Sequence, residues 1–79
     1  MNKTHLRWGC RRGMLELDLV LRPFLDAQFD DLSAAEQSAF SELLHQADQD
    51  IYGWIFNIRA CPHSEWISVI EKIRALWGK

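Results

Sequence analysis

The stretch Leu17-Asp18-Leu19-Val20-Leu21-Arg22-Pro23-Phe24-Leu25 decides the fold class. Its apolar residues at 17, 20, 21, 24 and 25 recur at i, i+3, i+4, i+7 and i+8, which gathers them on one face of an α-helix. A strand would alternate every second residue, and no window of the chain sustains that pattern between hairpin turns. Pro23 lacks an amide hydrogen and crowds the preceding turn, so a kink or a fresh helix is expected there.

The same period continues downstream. Ser33 and Glu36 have capping-box spacing, and the helix they open should turn Phe40, Leu43, Leu44 and Ala47 to the core. Asp48 is the expected N-cap of the next helix, with Asp50 in its first turn facing the positive end of the dipole. Ile51, Trp54, Ile55 and Ile58 form its inner stripe, and Tyr52 and Phe56 form a second apolar row. Cys61-Pro62-His63 reads as a connector and Ser64 as the cap of a last helix. That helix places Trp66, Val69, Ile70, Ile73, Leu76 and Trp77 at helical spacing and stops at Gly78. The expected architecture is all-α, a small compact five-helix bundle in which residues 1–79 make one domain.

Composition bounds the function. A chain of 79 residues must commit most of its apolar side chains to a core, which leaves little for a deep private pocket and argues against a self-contained enzyme. With 48% hydrophobic and 25% charged residues, wholesale disorder is excluded. No uninterrupted apolar run exceeds three residues, so no transmembrane helix or signal-peptide core is expected. Two cysteines, Cys10 and Cys61, are too few for a disulfide scaffold. A soluble, cytoplasmic, monomeric domain without membrane insertion is the expectation.

The formal net charge of −2 hides an uneven distribution. Residues 1–13 carry Lys3, Arg7, Arg11 and Arg12 and no acid, whereas residues 14–58 carry nine acids against Arg22 alone. The N-terminal segment is a local cation on an acidic body. Residues 3–11 have room for about two and a half helical turns. Helical phase then sets His5, Trp8 and Arg12 on one side, with Arg7 and Arg11 on a neighbouring one. Gly13 follows, where a chain reversing between two helices needs positive φ or close approach. Glu16 lies in the first turn of the next helix and outside its apolar stripe.

Arg7, Trp8, Arg11, Arg12, Gly13 and Glu16 are therefore the candidate partner-binding residues. Both Glu16 and the arginines are expected to face solvent, so Arg12→Ala and Glu16→Ala should cost little stability while impairing function. Trp54, Trp66 and Trp77 read as core, whereas Trp8 reads either as an anchor in a partner or as core. Other chemistry finds no pattern. His5, Cys10, Cys61 and His63 match no zinc spacing, and Gly9 and Gly13 lack the Lys-Ser or Lys-Thr of a phosphate loop. Cys10 is the one thiol with a rationale for a lowered pKa, among arginines. His45 reads as a partly exposed helix residue. No catalytic, metal or cofactor site is assigned.

At this corner the sequence resembles a known family. Trp8-x-Cys10-Arg11-Arg12-Gly13-Met14-x-Glu16-Leu17-Asp18 is similar to the signature of the succinate dehydrogenase assembly factors of the bacterial SdhE (YgfY) type, whose hallmark is Arg-Gly-x-x-Glu. Pro23-Phe24 and Asp50-Ile51-Tyr52-Gly53-Trp54 extend the resemblance across the chain; His5 and residues 57–62 depart from it. The resemblance implies a five-helix bundle that promotes covalent attachment of FAD to the flavoprotein subunit of succinate dehydrogenase, and of fumarate reductase in bacteria. In the reaction it implies, a flavoprotein histidine attacks the 8α-methyl carbon of the oxidised flavin after that methyl loses a proton. The assembly factor holds the aligned arrangement, and FAD is the partner's cofactor. Two other classes stay open: an antitoxin-type or regulatory interaction module, and a helix-turn-helix nucleic-acid binder, against which the acidic body argues.

Overall fold

Five helices follow one another in the computed structural model, which describes residues 3–77: α1 (Lys3–Gly9), α2 (Leu15–Gln28), α3 (Ala34–Leu43), α4 (Asp48–Ile55) and α5 (Ser64–Trp77). A single 3₁₀ turn, Phe29–Asp31, joins α2 to α3, and there is no strand among the described residues. The all-α expectation holds. The longest contact pairs α3 with α5, while α2 packs on α1, α4 and α5. The resulting globule measures 29 × 26 × 25 Å. Among the described residues no helix is long and apolar enough to cross a membrane.

Apolar periodicity translates directly into burial. Leu17, Val20, Leu21, Phe24 and Leu25 form the inner face of α2, and Phe24 and Phe29 both pack against Phe40 of α3, at ring distances of 5.5 and 5.9 Å. Trp54 and Trp66 meet at 5.6 Å between α4 and α5. Val69, Ile70 and Ile73 complete the α5 face, with Leu76 packed at its edge. The side-chain packing of Trp77 and the stop at Gly78 lie outside what is described. No polar or charged residue belongs to the buried set of described residues, so the core is held by apolar burial and side-chain interdigitation.

Several local expectations need correction. Of the two outcomes expected at Pro23, no fresh helix starts there: α2 runs through it. Pro23 stands on the solvent face, where water can hydrate the carbonyl that loses its partner, so the missing hydrogen bond is tolerated. The N-cap of α4 is Ala47, which is exposed, without a side-chain cap; Asp48 is the first helical residue and its carboxylate is engaged elsewhere. Ile58 is 67% exposed because α4 ends at Ile55. Asn57 at φ 61° then reverses the chain, and the amides of Ile58 and Arg59 both donate to the Gly53 carbonyl. By contrast, the Ser33–Glu36 capping box forms as expected, with both reciprocal bonds at 3.1 Å.

Candidate functional site

The chain leaves α1 through a tightening last turn, in which the amide of Cys10 donates to the carbonyls of Leu6 and Arg7 and that of Arg11 to Trp8. This rotation drives Cys10 into the core, fully buried against the α2 stripe. Burial pushes its thiol up to about 12, and the lowering influence of Arg12 nearby does not offset the loss of solvent. The rationale for a lowered pKa among arginines therefore does not hold at this position, and Cys10 serves as a small apolar core residue. Cys61 is also free. Among the described residues no three His, Cys, Asp or Glu side chains gather as a metal site.

Arg12 also departs from expectation. Its side chain is only 14% exposed and is turned inward. Its Nε donates to Asp48 at 2.6 Å, and its terminal nitrogens donate to the carbonyls of Gly9, Leu44 and Gln46. Leu44 is the C-cap of α3 and Gln46 lies just beyond it, so the guanidinium closes the negative end of one helix dipole while holding an acid in the first turn of the next. A fork of donors suits that arrangement, because several carbonyls and a carboxylate converge on one plane of charge. The backbone of Arg12 is fixed too, its amide donating to Asp18 Oδ1 at 2.8 Å.

With Arg12 anchored inside, Gly13 turns the chain outward. Its φ of 79° is the positive value that the reversal requires, and a Cβ built there meets nothing within 4 Å. Met14 is extended and its carbonyl accepts from the amides of Leu17 and Asp18, starting α2. Gly13, Leu15 and Glu16 are consequently all exposed. Of the six candidate residues, Arg12 points into the protein and Gly13 and Glu16 point out.

The other three gather beside this turn. Arg7, Trp8 and Arg11 line an open groove of about 240 Å³ together with Thr4 and Arg22; Glu16 is not part of it. Trp8 is 67% exposed, so the anchor reading of this residue fits its position and the core reading does not. The Arg11 guanidinium lies 5.8 Å from the centroid of its ring. Arg7 donates to Asp26 at 2.6 Å, and that hydrogen bond holds the Asp26 carboxyl below the usual carboxylate range. Sequence reasoning missed Arg22, Asp18 and Asp48. Arg22 had a signal, as the single base within the acidic stretch 14–58; the carbonyl set around Arg12 has none.

Residues 4–77 match the family model described as "Flavinator of succinate dehydrogenase". The chain belongs to this family. It is 40% identical over 73 residues to the FAD assembly factor SdhE of Vibrio cholerae, covering 92% of this chain and 85% of that relative. It is 42% identical over 71 residues to the FAD assembly factor SdhE of Aliivibrio fischeri, covering 90% and 83%. The FAD assembly factor SdhE of Colwellia psychrerythraea is 38% identical over 73 residues, covering 92% and 80%. In this member of the flavinator family, the Arg-Gly-x-x-Glu hallmark divides by position: the arginine is an internal tie, and the glycine and glutamate are a displayed turn.

Proposed function

We propose that this chain is an FAD assembly factor: it binds the flavoprotein subunit of succinate dehydrogenase and promotes covalent attachment of FAD, which is the partner's cofactor and not its own. Family membership and the printed names of the relatives support the activity. The observation that carries the site is the outward turn at Gly13, set on an internally tied Arg12. A turn fixed from behind presents Glu16 in one orientation, and pre-organisation of that kind lowers the ordering cost of an interface.

In this reading Glu16, Gly13, Trp8 and the flanking Arg7 and Arg11 meet the flavoprotein, and the factor works by holding a competent arrangement rather than by chemistry of its own. It acts as a cytoplasmic monomer, and the flavoprotein of fumarate reductase is a second client. The reading is tested by co-purification with the flavoprotein subunit and by in-gel flavin fluorescence with and without the factor. Gly13→Arg directs a long side chain into the space the partner would occupy, so covalent flavin should fall to the level without the factor. Normal flavinylation by that variant would remove the turn from the interface.

A further inference from the structure

Every lysine and arginine among the described residues other than Arg11 and Arg22 is engaged in an ion pair or, for Arg74, on backbone carbonyls. Arg11 and Arg22 have neither a carboxylate nor a carbonyl partner among the described residues, and both line the same groove between α1 and α2. In a protein of net charge −2, the two uncommitted guanidinium groups therefore converge on one place. Trp8 forms the apolar wall and stations Arg11 over its ring, which lowers the entropy lost when that guanidinium binds.

We propose that this groove receives carboxylate side chains from an acidic segment of the flavoprotein, clamped by Arg11 and Arg22 against Trp8. The inference rests on the reading that the chain binds that flavoprotein, and adds to it a residue on α2 and the chemistry of what is recognised. Size and charge select the occupant. At about 240 Å³ the groove is smaller than the roughly 300–1,000 Å³ of small-molecule pockets, which suits side chains projecting from a larger body. Guanidinium forks match carboxylates in paired hydrogen bonds. The neighbouring Arg7 is already paired with Asp26, which leaves Arg11 and Arg22 as the receivers. A polynucleotide would in addition face the nine acids of residues 14–58.

The test titrates the 79-residue protein and its Arg11→Glu/Arg22→Glu variant with purified flavoprotein subunit at low and moderate salt. The variant should raise Kd about tenfold or more and flatten the salt dependence, with Tm within a few degrees of wild type. Arg22→Lys, which keeps the charge, should recover most of the affinity. Should charge reversal impair folding, Arg11→Gln/Arg22→Gln gives the same comparison without added acids. Wild-type Kd and salt dependence in a folded variant would overturn the proposal. So would binding of pyrophosphate or a single-stranded oligonucleotide, tighter than that of the flavoprotein and lost in the variant. Failure of the wild-type protein itself to bind flavoprotein would overturn this proposal together with the function above, and is distinguished by appearing before any substitution is made.

Discussion

Helix α3 is closed by a charged side chain at each end, and the two closures are built differently. At its N-terminus Glu36 reaches back three residues to the Ser33 amide and also joins Ser68 at 2.6 Å and Lys72 at 3.0 Å on α5. At its C-terminus Arg12 arrives from the corner after α1, 32 residues away in sequence from the Leu44 carbonyl it meets. The first closure joins a local cap to α5, and all of its partners belong to the bundle. The second lends its rigidity to the surface, because the residue that seals α3 is covalently next to the turn that displays Glu16. The arginine of the Arg-Gly-x-x-Glu stretch thus ties the fold directly behind the turn that its neighbours form.

Breaking the Arg12 closure should have the largest effect. Arg12→Ala leaves several carbonyls and the Asp48 carboxylate without their donor. The expected loss is about 2–4 kcal/mol, or a Tm lower by roughly 10–20 °C on thermal denaturation. A change of only a few degrees would show that the tie contributes little. The Glu36 closure should show itself in acid. Hydrogen bonds from Ser68, then Lys72, then the Ser33 amide lower its carboxyl to about 2, against an ordinary 4.5. Its stabilisation is therefore complete above pH 4.5 and is lost as pH falls from there toward 2. In thermal melts across that window, Glu36→Gln should lose less stability on acidification than wild type.

A smaller cost is expected at the turn itself. Gly13→Ala forces a Cβ into the left-handed region, for about 1–2 kcal/mol measured by denaturant unfolding, although the space around it is open. Smallest of all is Glu16→Ala, exposed and outside the core, which should change stability by less than about 0.5 kcal/mol. Its covalent-flavin yield should nonetheless fall sharply. The comparison sharpens if Arg12→Ala, assayed well below its own Tm, still supports partial flavinylation while Glu16→Ala does not.

What could be read from the sequence follows the same division. The apolar stripe of α2, that of α5 from Trp66 to Ile73, and the Ser33–Glu36 box depend on spacings of three and four residues, and all of them appear where periodicity puts them. The glycine turn was legible for the same reason, since a reversal between two helices demands positive φ. Arg12 was misread because helical phase was extended past Gly9, where α1 has already ended and its axis no longer sets side-chain direction. Its partners are mostly carbonyls, and any residue type supplies a carbonyl. Asp48 was assigned to capping its own helix, a local use, when a partner 36 residues away had claimed it. Ile58 failed likewise, because the stripe was carried across the Asn57 reversal.

Burial of Cys10 gives the molecule an internal clock. Its thiol is sealed in the core just beyond α1 and its pKa is pushed up to about 12, whereas Cys61 sits half-buried in the α4–α5 connector. An alkylating reagent will therefore modify Cys61 in the native protein and reach Cys10 only when α1 lifts from α2. Two masses separated in time then report how often the segment bearing Trp8 and Arg11 detaches. A dye placed on Cys61 alone would leave the cationic corner untouched, ready for binding to be followed by its emission.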